Sequence, residues 1–154
     1  MGCQADAPLR FTTGQRQNLT AITDCGDQHI PNVKRIDSCV SVYPAFQIKE
    51  GKEQEIRALL KVIIDRAENE PATEIFSMAY AGNKLYLRES YTDIKGFKAH
   101  LDSVSDIIAD FFSMLELETL HVVAPESVAE EMKSLMSAMN MQADLFILEG
   151  GFAQ

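Results

Sequence analysis

The chain has 154 residues, 46% hydrophobic and 24% charged, and 23 acidic against 14 basic residues leave a formal net charge of −9. That size suits one hydrophobic core, and the balance is that of a globular chain rather than a disordered or fibrous one. No apolar run approaches the roughly 18–20 residues that span a bilayer, no charged-then-apolar leader opens the sequence, and a surface this acidic repels duplexes and anionic membranes. The expectation is a soluble, cytoplasmic protein whose partners are neither nucleic acids nor membranes.

Residues 1–37 are rich in Gln, Thr, Asp and Gly, and their apolar members (Leu9, Phe11, Leu19, Ile22, Ile30) keep no period. We read 1–37 as an irregular arm, able to pack on a partner subunit, and 38–154 as the folded domain. Cys3, Cys25 and Cys39 are odd in number and form no Cys-x-x-Cys, which reads as reduced thiols. Met1-Gly2-Cys3 invites acylation, but Asp6 stands where the myristoylation pattern wants Ser or Thr. Asn18-Leu19-Thr20 is a glycosylation triplet that matters only in a secreted protein.

From Cys39 to Ile48 the residues alternate, with Val40, Val42, Phe46 and Ile48 on one face, which predicts a half-buried strand. Pro44 lacks a ladder donor and demands an edge, a bulge or a wide pair there. Lys49-Glu50-Gly51 turns the chain into a helix striped by Ile56, Leu59, Leu60, Ile63, Ile64 and Ala67, which Pro71 ends. Two strands, 74–80 and 84–91, follow around Ala81-Gly82-Asn83. In the second, Leu85, Leu87, Glu89 and Tyr91 face one way while Tyr86, Arg88 and Ser90 face the other. Thr92-Asp93 then caps a second helix, striped by Ile94, Phe97, Leu101, Val104, Ile108, Phe111 and Leu115, and a strand runs from about Leu117 to Val123. Pro125 opens a shorter helix with Val128, Met132, Leu135 and Met139 inward, and 144–148 is a last strand. The order β-α-β-β-α-β plus an α-β extension predicts an α+β, ferredoxin-like antiparallel sheet with helices on one face. Its bare face calls for a second copy.

Three segments carry a family resemblance. The run Tyr43-Pro44-Ala45-Phe46-Gln47-Ile48-Lys49-Glu50-Gly51-Lys52-Glu53 resembles the first strand and turn of antibiotic biosynthesis monooxygenase-like domains. Leu85-Tyr86-Leu87-Arg88-Glu89-Ser90-Tyr91-Thr92-Asp93 is similar to a later strand, and Phe97-Lys98-Ala99-His100-Leu101-Asp102-Ser103 to the helix after it. The resemblance spans about 38–154. It implies a homodimeric α+β barrel with a cavity between sheet and helices in each subunit. It also implies an oxidoreductase that oxidises phenols or quinols with molecular oxygen and no metal or flavin cofactor. The chain departs from characterised members in having no Trp, with Tyr91 where the strand motif usually has one. That departure sets aside haem degradation, which relatives perform with an Asn, a Trp and a His together.

Two functions follow: a cofactor-independent monooxygenase acting on a small hydrophobic phenol or quinol, or a non-catalytic small-molecule-binding or interaction protein on the same barrel. His100, on the border of the helix stripe, is the candidate base. Glu89, on the buried strand face, is a candidate base or hydrogen-bond acceptor, with structural pairing as the alternative. Tyr43, Tyr80, Tyr86 and Tyr91 are candidates to line a pocket for an aromatic ligand. The methionines at 132, 136, 139 and 141 read as helix packing. No metal is expected: Glu118 and His121 point to opposite faces of a strand, and neither His-x-His nor HExxH occurs. Phosphate-binding glycine loops and nucleophile elbows are likewise missing.

Overall fold

A computed structural model describes residues 35–153 of the chain. The expectations for the arm up to residue 34, including those for Cys3, Cys25, Met1-Gly2-Cys3 and Asn18-Leu19-Thr20, lie outside the described residues. The end of the stretch read as irregular is ordered, because Arg35–Ile36 form a short strand, β1.

Strand β2 (Val40–Ile48) is followed by helix α1 (Glu53–Ala67), the hairpin β3 (Thr73–Ala81) and β4 (Lys84–Tyr91), and helices α2 (Ile94–Ser103) and α3 (Ile108–Ser113). Then come β5 (Leu115–Ala124), a 3₁₀ turn at Glu126–Val128, helix α4 (Ala129–Ala138), β6 (Asp144–Ile147) and β7 (Phe152–Ala153). The main sheet runs β3-β4-β2-β5-β6, and β1 pairs with β7 separately. Its first four strands are antiparallel in the ferredoxin-like order. β6, the strand of the α-β extension, runs parallel to β5, so the antiparallel ferredoxin-like sheet gains a parallel fifth strand. A parallel neighbour needs a crossover, and α4 supplies one.

Strand β2 is central and alternates buried with half-buried residues along its length. It pairs with β4 on either side of Pro44, at Val42–Glu89 and Ala45–Tyr86, and its register with β5 shifts between Ala45 and Phe46. The proline is thus absorbed by a bulge next to it. In the β3–β4 hairpin Gly82 takes a φ of +63°, the left-handed conformation that a two-residue turn needs at its first position.

The core divides into two clusters. Under α1, Ile56, Leu60 and Ile63 pack on Phe46, Ile48, Leu85 and Leu87. Under α2 and α4, Ile94, Phe97, Met132 and Met136 pack on Val40, Val42, Leu120 and Val122. Burying a side chain of Leu60's size stabilises the fold by about 1.5–3 kcal/mol before chain entropy is counted.

Asp93 caps α2 by accepting the Gly96 N–H at 2.8 Å. Gly96 is needed for another reason: a Cβ there would stand 2.6 Å from the Ala72 Cβ. The single long helix expected through Leu115 is in fact two. Ser105 turns its N–H and hydroxyl back on the Asp102 carbonyl, so the helix stops at Ser103. Arg66 holds the break by donating to the Ser103 carbonyl and to both carboxylate oxygens of Asp106. Leu115 consequently begins β5 rather than ending a helix. Among the described residues no helix is long and apolar enough to cross a membrane.

Candidate active site

His100 lies one helical turn beyond Gly96 on the buried side of α2 and is 4% exposed. Its Nδ1 is 2.9 Å from Glu70 Oε2 and 3.2 Å from Oε1. Glu70 stands in the turn between α1 and β3, where its own N–H donates to the Ala67 carbonyl. Thr73 Oγ1 donates to Glu70 Oε2 at 2.7 Å, and the Ser103 hydroxyl donates to Oε1.

Burial works to raise the Glu70 pKa, but hydrogen bonds from Ser103, Thr73 and His100, with the charge of His100, outweigh it and hold the carboxyl below its ordinary value. An ionised carboxylate only accepts, so Nδ1 carries the proton toward Glu70. In the neutral ring the lone pair therefore sits on Nε2, which no described residue bonds.

Glu89 reaches the same region from β4, opposite Val42 on the helix-covered face, and is itself buried. Tyr91 donates its hydroxyl to Glu89 Oε2 at 2.8 Å. Burial drives the Glu89 carboxyl above its ordinary pKa; the nearby His100 and the Tyr91 hydrogen bond only partly offset this, and the Glu70 charge adds to it. Tyr91 is pushed up as well, by burial and then by Glu89. Its ring packs on both Phe97 and His100, with centroids 5.3 Å and 5.5 Å away.

A cavity of about 60 Å³ opens beside this cluster, between strands β2 to β5 on one side and α1, α2, α3 and the end of α4 on the other. Its wall is apolar, with Phe76, Phe97, Leu101, Met136 and Met139 among the lining residues, and among the described residues Glu89 and His100 are its only ionisable side chains. An apolar pocket with a few converging polar groups of perturbed pKa is the usual form of a small-molecule site.

None of the tyrosines lines that cavity. Tyr43 pairs with His121 and Tyr86 with Ala45, on the face of the sheet that carries no helix; Tyr86 is 44% exposed. Tyr80 is on the helix-covered face, but its ring is held 3.9 Å from the Arg57 guanidinium. Tyr91 acts behind Glu89. An aromatic cage of four tyrosines is thus not what the fold assembles. Conversely, Glu70, Thr73 and Ser103 belong to the cluster although sequence reasoning passed over them. On the open face His121 Nε2 lies 3.9 Å from Asp144 Oδ2. No group of three or more His, Cys, Asp or Glu among the described residues is placed to hold a metal.

No protein-family model matches the sequence, and no curated protein is similar enough to serve as a relative. Solved structures do match. MupZ from Pseudomonas fluorescens superposes with a TM-score of 0.68 at 22% identity, covering 77% of this chain and 96% of its own. Rv0793 from Mycobacterium tuberculosis gives 0.52 at 22% identity, covering 57% of this chain and 95% of its own. A conserved protein from Methanosarcina mazei gives 0.52 at 20% identity over 56% of this chain and 92% of its own. These likenesses establish a shared architecture: the chain has the ferredoxin-like α+β fold that its resemblance to antibiotic biosynthesis monooxygenase-like domains implies.

Proposed function

We propose that the protein is a small-molecule oxygenase that works on a hydrophobic phenol or quinol with dioxygen as oxidant and without metal or flavin, His100 being its base. The observation that carries this reading is the Glu70–His100 pair opening on an apolar cavity. Glu70 fixes the tautomer, and Nε2 removes the phenolic proton. The phenolate gives an electron to dioxygen, a C–O bond forms at a ring carbon, and loss of water leaves a carbonyl. A phenol and O₂ thereby become a para-quinone and water. Glu89, biased toward its neutral form, is positioned to supply the proton that leaves with the departing oxygen.

The cavity volume refines the substrate. An engineered cavity of about 150 Å³ takes benzene, so even one ring must displace side chains here, and the methionines of the wall are the adaptable ones. One-ring phenols fit this reading better than polycyclic ones. The same small volume supports the second reading, a barrel that keeps the polar cluster for structural reasons and binds without catalysis.

Oxygen uptake with a panel of phenols and quinols separates the two. His100→Ala and Glu70→Gln are each expected to lower the rate, His100→Ala by about 10²–10⁴-fold, with circular dichroism unchanged. Uptake equal to wild type in a folded His100→Ala protein excludes it as the base.

The open face of the sheet supports a homodimer. It carries Tyr86 at 44%, Phe146 at 51% and Ile75 at 38% exposure, with no described helix across it. Native mass spectrometry is expected to find a dimer and Tyr86→Glu to weaken it; a monomeric wild type would refute the assembly.

A further inference from the structure

Helix α4 ends in a motif that divides two spaces. The Met141 N–H donates to the Met136 carbonyl and the Asn140 N–H to the Ser137 carbonyl, while Asn140 takes a φ of +55°. This is the Schellman arrangement, whose first and last members are commonly joined by an apolar contact. Those members here are Met136 and Met141. Both line the buried cavity beside His100, and both also line a recess of about 260 Å³ between α4 and β6. That recess is walled further by Met132, Lys133, Ser137 and Gln142. Met139 borders the cavity alone, and Met132 the recess alone.

The two spaces differ in chemistry. The cavity presents hydrocarbon, sulfur, Glu89 and His100. The recess adds a hydroxyl, an amide and the Lys133 cation, which pairs with Glu130 at 2.6 Å, and among the described residues no acidic side chain lines it. The partition is made of unbranched thioether side chains, which change rotamer more cheaply than branched ones and re-form around different shapes.

The geometry points to an amphipathic ligand that occupies both spaces, with an apolar, hydrogen-bonding ring end beside His100 and a polar tail in the α4–β6 recess, threaded between Met136 and Met141. The pair then sets which tail lengths are accepted. This inference rests on the cavity being a ligand site, as proposed above, and adds the direction of entry and the form of the substrate. A tail also answers the size problem, since the recess offers volume that the cavity lacks.

The seven methionines of the full chain make the test direct. Protein labelled at the methionine methyl groups is titrated with phenol and with ω-(4-hydroxyphenyl)alkanoates of increasing chain length, and methyl resonances are followed by NMR. Phenol is expected to shift Met139 and leave Met132 unmoved; beyond a threshold length the acids are expected to shift both. Each methylene added past that threshold should tighten binding about three- to fourfold.

In Met141→Ala, which alters a half-buried residue and spares the core, the threshold is expected to fall and the long acids to bind more tightly than in wild type. Met136→Ala serves as the second variant. If phenol and all the acids shift Met139 but none shifts Met132, the threading is wrong while the cavity site stands. If no compound shifts Met136, Met139 or Met141, the cavity itself is not a ligand site, and both readings fall.

Discussion

Beneath α1 the sheet meets Ile56, Leu60 and Ile63, branched aliphatics of few rotamers in contact with Leu85 and Leu87. Beneath α4 it meets Met132 and Met136, with Met139 and Met141 packed alongside. Both helices cover the same face, and both bury an apolar stripe. From α1 only Ile63 reaches the cavity, whereas the end of α4 brings Met136, Met139 and Met141 to it, and Met136 and Met141 line the recess as well. The difference locates adaptability: branched residues interlock, whereas thioether chains fill irregular space and can vacate it.

The largest expected effect is on the rigid side. Leu60→Ala, at a fully buried position, is expected to lower unfolding free energy in urea by about 2–5 kcal/mol. Met139→Ala, half-buried at the cavity wall, is expected to cost less than about 1.5 kcal/mol. Equal losses would erase the contrast between the two sides.

The glutamates sharpen it through pH. Glu89 is held above its ordinary pKa, so its folded form keeps a proton that the unfolded form releases. Its contribution is fully present below the unfolded pKa and is lost as pH rises through the folded value. Glu89→Gln should therefore gain stability relative to wild type as pH increases through that window. Glu70 is held below its ordinary pKa, so the sign reverses. Its contribution is present above the ordinary carboxylate range and is lost as pH falls, and the stability deficit of Glu70→Gln should shrink in acid. Urea titrations from acid to neutral pH check both; parallel profiles for the two variants would contradict the opposed environments. The smallest effect is expected for Met136→Leu, a volume-conserving change costing less than about 1.5 kcal/mol by the same measurement, with a shift in ligand-length preference if the wall is adaptable.

Much of this architecture was readable before the structure. The two-residue period of Val40–Ile48, the stripe of α1 and the Gly82 turn each give a local signal strong enough to place an element. The same alternation on β4 set Glu89 opposite Tyr86, so the pattern already argued against those two sharing a pocket. The break between α2 and α3 was hidden because Val104 and Ile108 stay in phase with the stripe across it, both packing on the core cluster. Only Ser105 and Asp106, which favour turns, hinted at the stop. The direction of β6 depends on where α4 crosses the sheet, which no local period encodes. Glu70 was missed because it sits in a turn and meets His100 across 30 residues. A lone carboxylate before a proline carries no periodicity to betray a partner.

Gly96 offers a different lesson. Its missing side chain lets α2 sit against Ala72, and His100 follows one turn later on the same helix. The glycine works as a spacer gauge, letting the helix that carries the imidazole approach the chain just before β3 as closely as it does. In a saturation-mutagenesis map of activity this position would stand out as sharply as His100 itself. Its tolerance would track side-chain volume and ignore polarity, marking a site of mechanical control that contains no acid, no base and no ligand contact.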